Sequence, residues 1–254
     1  MQTNPKIIFK PITLEENIKI IQNLYFGEGE KSEIHNLLCE YFPELHDIHK
    51  NISKEEISTK NSAIITNYYT SNSQNIREAC KKYSAIWNKY NDTYFKKLAN
   101  YLNINWPINI NEITCYVGML PFFPRDIDNY TFYINPHLNE EKLTEVCAHE
   151  TLHFLWFTKW KTLYPEISKT EYESPNLAWQ YSEMVTDPIL NNSEFQTIFN
   201  FTEKSYLEFY KLQKNGKFVM EELKKIYNSS TSIEDKIMTG YEYLKNLNFK
   251  EMEK

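Results

Sequence analysis

Glycine is scarce in this chain, with 5 in 254 residues. That scarcity excludes collagen-like and Gly-rich linker architectures and disfavours a turn-dense all-β sandwich. Arginine occurs only at Arg77 and Arg125, so lysine carries nearly all the basic charge. The 4 cysteines (Cys39, Cys80, Cys115 and Cys147) lie far apart and form no CxxC pair. This spacing predicts four reduced, buried thiols rather than a disulfide framework or a cysteine metal site. No run approaches 18 uninterrupted apolar residues, so no transmembrane helix is expected. There is no Gly-rich phosphate loop, no GxSxG elbow and no Cys/His nucleophile pairing. In the opening MQTNPKIIFKP, the apolar run Ile7-Ile8-Phe9 stops at Lys10-Pro11. It lacks the pattern of a signal peptide, and the expected compartment is the cytoplasm.

Against these absences stand 41% hydrophobic and 24% charged residues, enough to bury a core. The length suits one large domain or two modest ones. A net charge of -6 gives no global pull toward nucleic acid or an anionic membrane, and neither is expected as a partner.

Hydrophobic periodicity predicts an α+β fold, predominantly helical, in three parts: a helical region over 1–108, a small core of strands and helices over 109–190, and a helical region over 191–254. In the first part, Thr13 and Glu16 form a capping-box pattern. Ile18, Ile21 and Leu24-Tyr25 follow at helical spacing until Gly27-Glu28-Gly29. A second helix is expected over 31–42, ending at Pro43. The longest candidate in this part runs over 74–102. Near Pro107 the texture changes. Ile113–Gly118 and Tyr130–Asn135 (YTFYIN) read as strands, and Pro136 should end the second. Asn139 is a favoured N-cap for a helix reaching about Trp160. Ser174-Pro175 reads as the opening of another helix, which Pro188 breaks or bends. Amphipathic helix resumes over 193–254, interrupted near Asn215-Gly216 and 228–231.

His149-Glu150-Thr151-Leu152-His153 is an HExxH within the helix that starts at Asn139. Residues i and i+4 share one helix face, so both imidazoles can reach one ion. Glu150 lies about 100° further round, beside the metal, where it can take a proton from a water on it. The helix is otherwise apolar nearly all round. Two buried histidines and a carboxylate need partners there, and a metal supplies them.

Zinc needs a third protein ligand and leaves its fourth place to water. The residues three and six past His153 are Trp156 and Lys159, which excludes the metzincin arrangement. A downstream carboxylate is the alternative. Glu166, Glu171, Glu173, Glu183 and Glu194 all lie within reach by sequence. Glu183 is preferred because it stands inside a helix. It also opens Glu183-Met184-Val185-Thr186-Asp187, which sets Asp187 one turn on, where it can accept the second ring N–H of a ligating histidine and fix its tautomer. His46-Asp47-Ile48-His49 is metal-like in composition, but its spacing favours surface histidines. His137 reads as a cap or surface residue.

HExxH followed by a helical E-x-x-x-D resembles the gluzincin (thermolysin-like) zinc metallopeptidases, over about residues 113–190. The resemblance implies a small sheet whose edge strand runs along a cleft, the HExxH helix beneath it, and a helix carrying the glutamate. YTFYIN is the natural edge-strand candidate, able to pair with an extended peptide. It further implies a zinc-dependent peptidase acting on a peptide or protein. His149, His153 and Glu183 would hold Zn2+. Glu150 would act as general base and then pass the proton to the leaving amine. A Tyr or His would stabilise the oxyanion, with Tyr181, Tyr206, Tyr210 and Tyr241 all conceivable. Two other readings stand beside it. One is a helical binding or scaffold protein with a structural or degenerate metal site, closed by a fourth protein ligand such as His137; Cys147, two residues before His149, faces away on the helix and is discounted. The other is a metal hydrolase of a non-peptide substrate.

Overall fold

A computed structural model describes residues 4–27, 33–46, 53–245 and 247. The chain is α+β and predominantly helical. It divides into two compact units that interleave along the sequence. One comprises 6–89 and 112–140, the other 1–5, 90–111 and 141–254. The texture change near Pro107 therefore falls close to a boundary, while residue 190 lies inside the second unit. No helix among the described residues is long and apolar enough to cross a membrane. All four cysteines are buried and none is disulfide-bonded.

The first unit contains β1 (Lys6–Pro11), α1 (Leu14–Gly27), α2 (Glu33–Tyr41), α3 (Lys54–Ser71) and α4 (Ser73–Trp87). It continues with β2 (Glu112–Val117), β3 (Arg125–Asp126) and β4 (Thr131–Ile134). The sheet order is β1-β2-β4-β3, with the first three strands parallel and β3 antiparallel to β4. Alternation puts Ile7, Phe9, Ile113, Cys115, Val117, Phe132 and Ile134 in the core. α4 packs there through Tyr83, whose ring meets Phe9 edge-on at 6.0 Å. The Tyr83 hydroxyl accepts from the Leu138 N–H at 2.8 Å.

Several expectations need correction. β1 falls in a stretch expected to be helical, because KIIFKP is a short apolar run whose long parallel partner β2 is remote in sequence. YTFYIN is not an edge strand. β3 covers β4 through Arg125↔Phe132 and Asp126↔Thr131, and the Tyr133 N–H adds a bond to the Pro124 carbonyl at 2.9 Å. The edges are β1 and β3. The helix expected over 74–102 is two helices, α4 and α5 (Asn91–Tyr101), parted at Asn88-Lys89-Tyr90, where asparagine is a weak helix former. Thr13 does cap α1, its hydroxyl accepting from the Glu16 N–H at 3.1 Å. Residues 28 and 29 of the glycine stop, and 47–49 of the His46–His49 motif, lie outside the described residues.

The second unit holds α5, then α6 (Glu140–Leu163), α7 (Leu177–Met184), α8 (Thr186–Leu190), α9 (Ser193–Gln196) and α10 (Leu207–Lys211). A hairpin of β5 (Gln213–Lys214) and β6 (Lys217–Phe218) leads to α11 (Val219–Tyr227) and α12 (Ile233–Leu244). The hairpin turns at Asn215 (φ 52°) and Gly216 (φ 74°), both left-handed as a tight two-residue turn requires. α6 is buried on nearly every side, as an all-round apolar helix must be. Trp156 stacks on Trp160 at 4.9 Å, and both rings meet Tyr181 of α7. The Tyr181 hydroxyl bonds to that of Tyr227 at 2.9 Å and to the Ile237 carbonyl at 3.1 Å, joining α7 to α11 and α12. α5 is fixed to α6 by the Tyr94 hydroxyl, which donates to the Ala148 carbonyl at 2.7 Å.

Candidate metal centre

α6 begins directly after Asn139, so the favoured N-cap residue stands where the helix starts. Helical geometry then projects His149 and His153 from one face, ring centroids 4.7 Å apart. Their Nε2 atoms lie 3.0 Å apart. His153 is fully buried. From Leu143 to Phe157, His149 is the one residue that is not buried, so the face bearing the histidines opens at that position.

The third group comes from α7. The Glu183 carboxylate is 2% exposed, with Oε2 3.2 Å from His149 Nε2 and Oε1 3.4 Å from His153 Nε2. α7 starts at Leu177 behind Asn176, two residues later than Ser174-Pro175 suggests. The helical path is interrupted at Val185 and restarts as α8, which puts Pro188 in a first turn, where a missing N–H costs little. The backbone of Glu183 is held twice. Its carbonyl accepts from the Thr186 hydroxyl at 2.7 Å and from the buried Ser205 hydroxyl at 2.8 Å.

Among the described residues, His149, His153 and Glu183 form the one group of three suited to a metal ion. Two imidazoles and a carboxylate are a donor set of catalytic zinc sites. With bonds of about 2.0–2.1 Å, a tetrahedral site separates its ligand atoms by about 3.3–3.4 Å. The imidazole nitrogens lie 3.0 Å apart, and each has one oxygen of the Glu183 carboxylate at 3.2 or 3.4 Å, close to that spacing. The residues present therefore fit the ion that the motif implies.

Charge is concentrated at the centre. Burial depresses the pKa of His149, but the hydrogen-bonded carboxylate of Glu183, aided by the charges of Glu150 and Glu203, outweighs it and raises the pKa above its usual value. Glu150 is buried beside the histidines, 5% exposed. The competing glutamates differ. Glu166, Glu173 and Glu194 are exposed, and Glu171 is half-buried in a short turn. Cys147 is buried but not a member of the group. His137 is exposed in the β4–α6 connection, its N–H bonded to Asn135 Oδ1 at 2.9 Å.

Asp187 does not take the place expected of it. Its Oδ1 accepts from Asn191 at 2.8 Å, while Oδ2 pairs with Lys224 at 3.0 Å and with the Tyr210 hydroxyl. None of these partners is a histidine. Burial and this carboxylate both raise the pKa of Tyr210. Of the other tyrosines, Tyr181 and Tyr241 belong to the aromatic core. Tyr206 keeps half its surface exposed, its ring 5.9 Å from Trp179, which lies one turn before Glu183. Sequence reasoning missed Ser205, which follows a stretch without regular structure and carries no local signal.

No family model, curated protein or solved structure matches this chain.

Proposed function

We propose that the chain is a zinc-dependent hydrolase of the gluzincin-like metallopeptidase type, acting on peptide or protein substrates. One observation carries the reading: two imidazoles and a carboxylate from two helices, buried or half-buried, converge with N···N and N···O distances of 3.0–3.4 Å. A zinc ion there would polarise a carbonyl and acidify water. His149, His153 and Glu183 would hold it, and with three protein ligands a fourth place stays open to reactants. Glu150, next to His149 on the buried helix, is the proton acceptor of the scheme and returns the proton to the departing amine. Tyr206 is the oxyanion donor we favour, since it is half-exposed and its ring lies 5.9 Å from Trp179, one turn before Glu183. A cytoplasmic location belongs to the same proposal and rests on four buried, unbridged thiols.

The test is zinc content and peptide hydrolysis measured together. The purified chain should hold about one zinc and cleave a mixed peptide library, with activity lost on chelation and restored by zinc. Stoichiometric zinc without hydrolysis of any library member would favour the structural-site reading instead.

A further inference from the structure

Glu145 stands one turn before His149, on the stripe of α6 that carries both histidines. It is 6% exposed, and carboxylates are rarely buried without partners. Its Oε1 accepts from the Thr202 N–H at 2.9 Å, the Thr202 hydroxyl at 2.9 Å and the Glu203 N–H at 3.0 Å. The Lys142 ammonium, lower on the same helix, pairs with the Glu203 carboxylate at 2.5 Å. The far side of this segment faces the glutamate helix. Asn191 donates to the Glu203 carbonyl at 3.0 Å, and Ser205 donates to the carbonyl of Glu183 itself at 2.8 Å.

Residues 202–205 have no regular structure of their own. Their polar groups are bonded on one side within a turn of His149 and on the other at Glu183. We propose that this segment is the spacer that sets the distance between the two histidines and the glutamate, with Glu145 and Ser205 as positioning residues for the metal centre. The inference rests on the reading of His149, His153 and Glu183 as zinc ligands. The physics is one of tolerance. Ligand distances must hold within about 0.2 Å, yet the ligands arise on two helices separated by a loop. Charge-assisted bonds to backbone N–H groups are a strong way to fix such a loop. Outer partners of this kind typically change metal affinity by 10–100-fold when removed.

Zinc and cobalt(II) titrations of the full chain test the idea. Ser205→Ala, Ser205→Thr and Glu145→Gln are compared with wild type and with His153→Ala, at a temperature where circular dichroism shows each metal-free variant folded. Ser205→Ala and Glu145→Gln should bind zinc about tenfold more weakly and shift the visible cobalt bands, which report coordination geometry. Ser205→Thr keeps the hydroxyl and should restore both. A purely structural role would lower the melting temperature but leave affinity and spectrum unchanged. Wild-type affinity and spectrum in folded Ser205→Ala and Glu145→Gln, with binding lost in His153→Ala, overturn the positioning role and leave the metal centre standing. Absence of binding by the wild type overturns both. If Glu145→Gln fails to fold, the Ser205 pair decides alone.

Discussion

Two helices of this chain carry ligand-type side chains four residues apart. On α2, His35 Nε2 lies 3.5 Å from Cys39 Sγ, and both residues are buried. On α6, the two histidine Nε2 atoms lie 3.0 Å apart. Helical spacing alone brings such pairs together. The difference is what another element adds. On α6 a buried carboxylate arrives from α7 and bridges both rings, whereas the α2 pair belongs to no group of three ligand-type residues among the described residues, and burial pushes the Cys39 thiol pKa up. The i, i+4 contact is thus a weak indicator of a site, and the converging charge is a strong one.

The sharpest way to break this contrast is to remove one member of each pair. His153→Ala should abolish zinc binding, while His35→Ala should leave stoichiometry and affinity unchanged, as read by competition with a chromogenic chelator. Equal losses in both variants would erase the distinction. The next largest effect separates holding the ion from using it. Glu150→Gln should retain zinc yet lose 10²–10⁴-fold in peptide hydrolysis, because the amide cannot accept a proton. Activity within about tenfold of wild type would exclude Glu150 as the base.

A third comparison concerns the carboxylate that makes α6 different. Glu183→Ala should weaken zinc binding by more than the roughly 10–100-fold expected for an outer partner. Glu171→Ala and Glu173→Ala should stay within about twofold of wild type, since neither is buried or a member of the group. A loss at Glu173 comparable to that at Glu183 would reassign the third ligand.

How much of this was legible differs by residue and for physical reasons. The convergence of His149 and His153 is written in a 3.6-residue period, so it is local and readable. Glu183 was readable because it stands inside a helix and opens the E-x-x-x-D run, although that helix starts two residues later than Ser174-Pro175 suggests. Asp187 misled, since its position follows from the helix but its partners Tyr210 and Lys224 lie far downstream. The same limit hid β1, which is six residues long and defined by pairing with β2 across the chain. It also made YTFYIN look like an edge, because a two-residue strand covers it. Glu145 could have been noticed as a carboxylate one turn before His149 on the histidine stripe, although what it binds could not.

The smallest expected effect asks whether every buried charge on α6 serves the proposed metal centre. Lys159, one turn and a half beyond His153, is buried and donates to the Asn103 carbonyl at 3.2 Å and to the Glu234 carboxylate of α12. Glu234 also accepts from Asn103 at 3.0 Å. These bonds, that of Lys159 foremost, lower the pKa of Glu234 from 4.5 to about 2. Because the folded pKa is depressed, the stability Glu234 contributes is present above the ordinary carboxylate range and is lost as pH falls toward about 2. Glu234→Gln should therefore destabilise the chain at neutral pH, by about 1 kcal/mol after allowing for solvent screening. The gap to wild type should close as pH drops from about 4.5 to about 2, in denaturant melts followed across that window. Zinc affinity at neutral pH should not move. A pH-independent gap would mean that the loss is one of packing, and weakened zinc binding would extend the metal centre's support to the far end of α6.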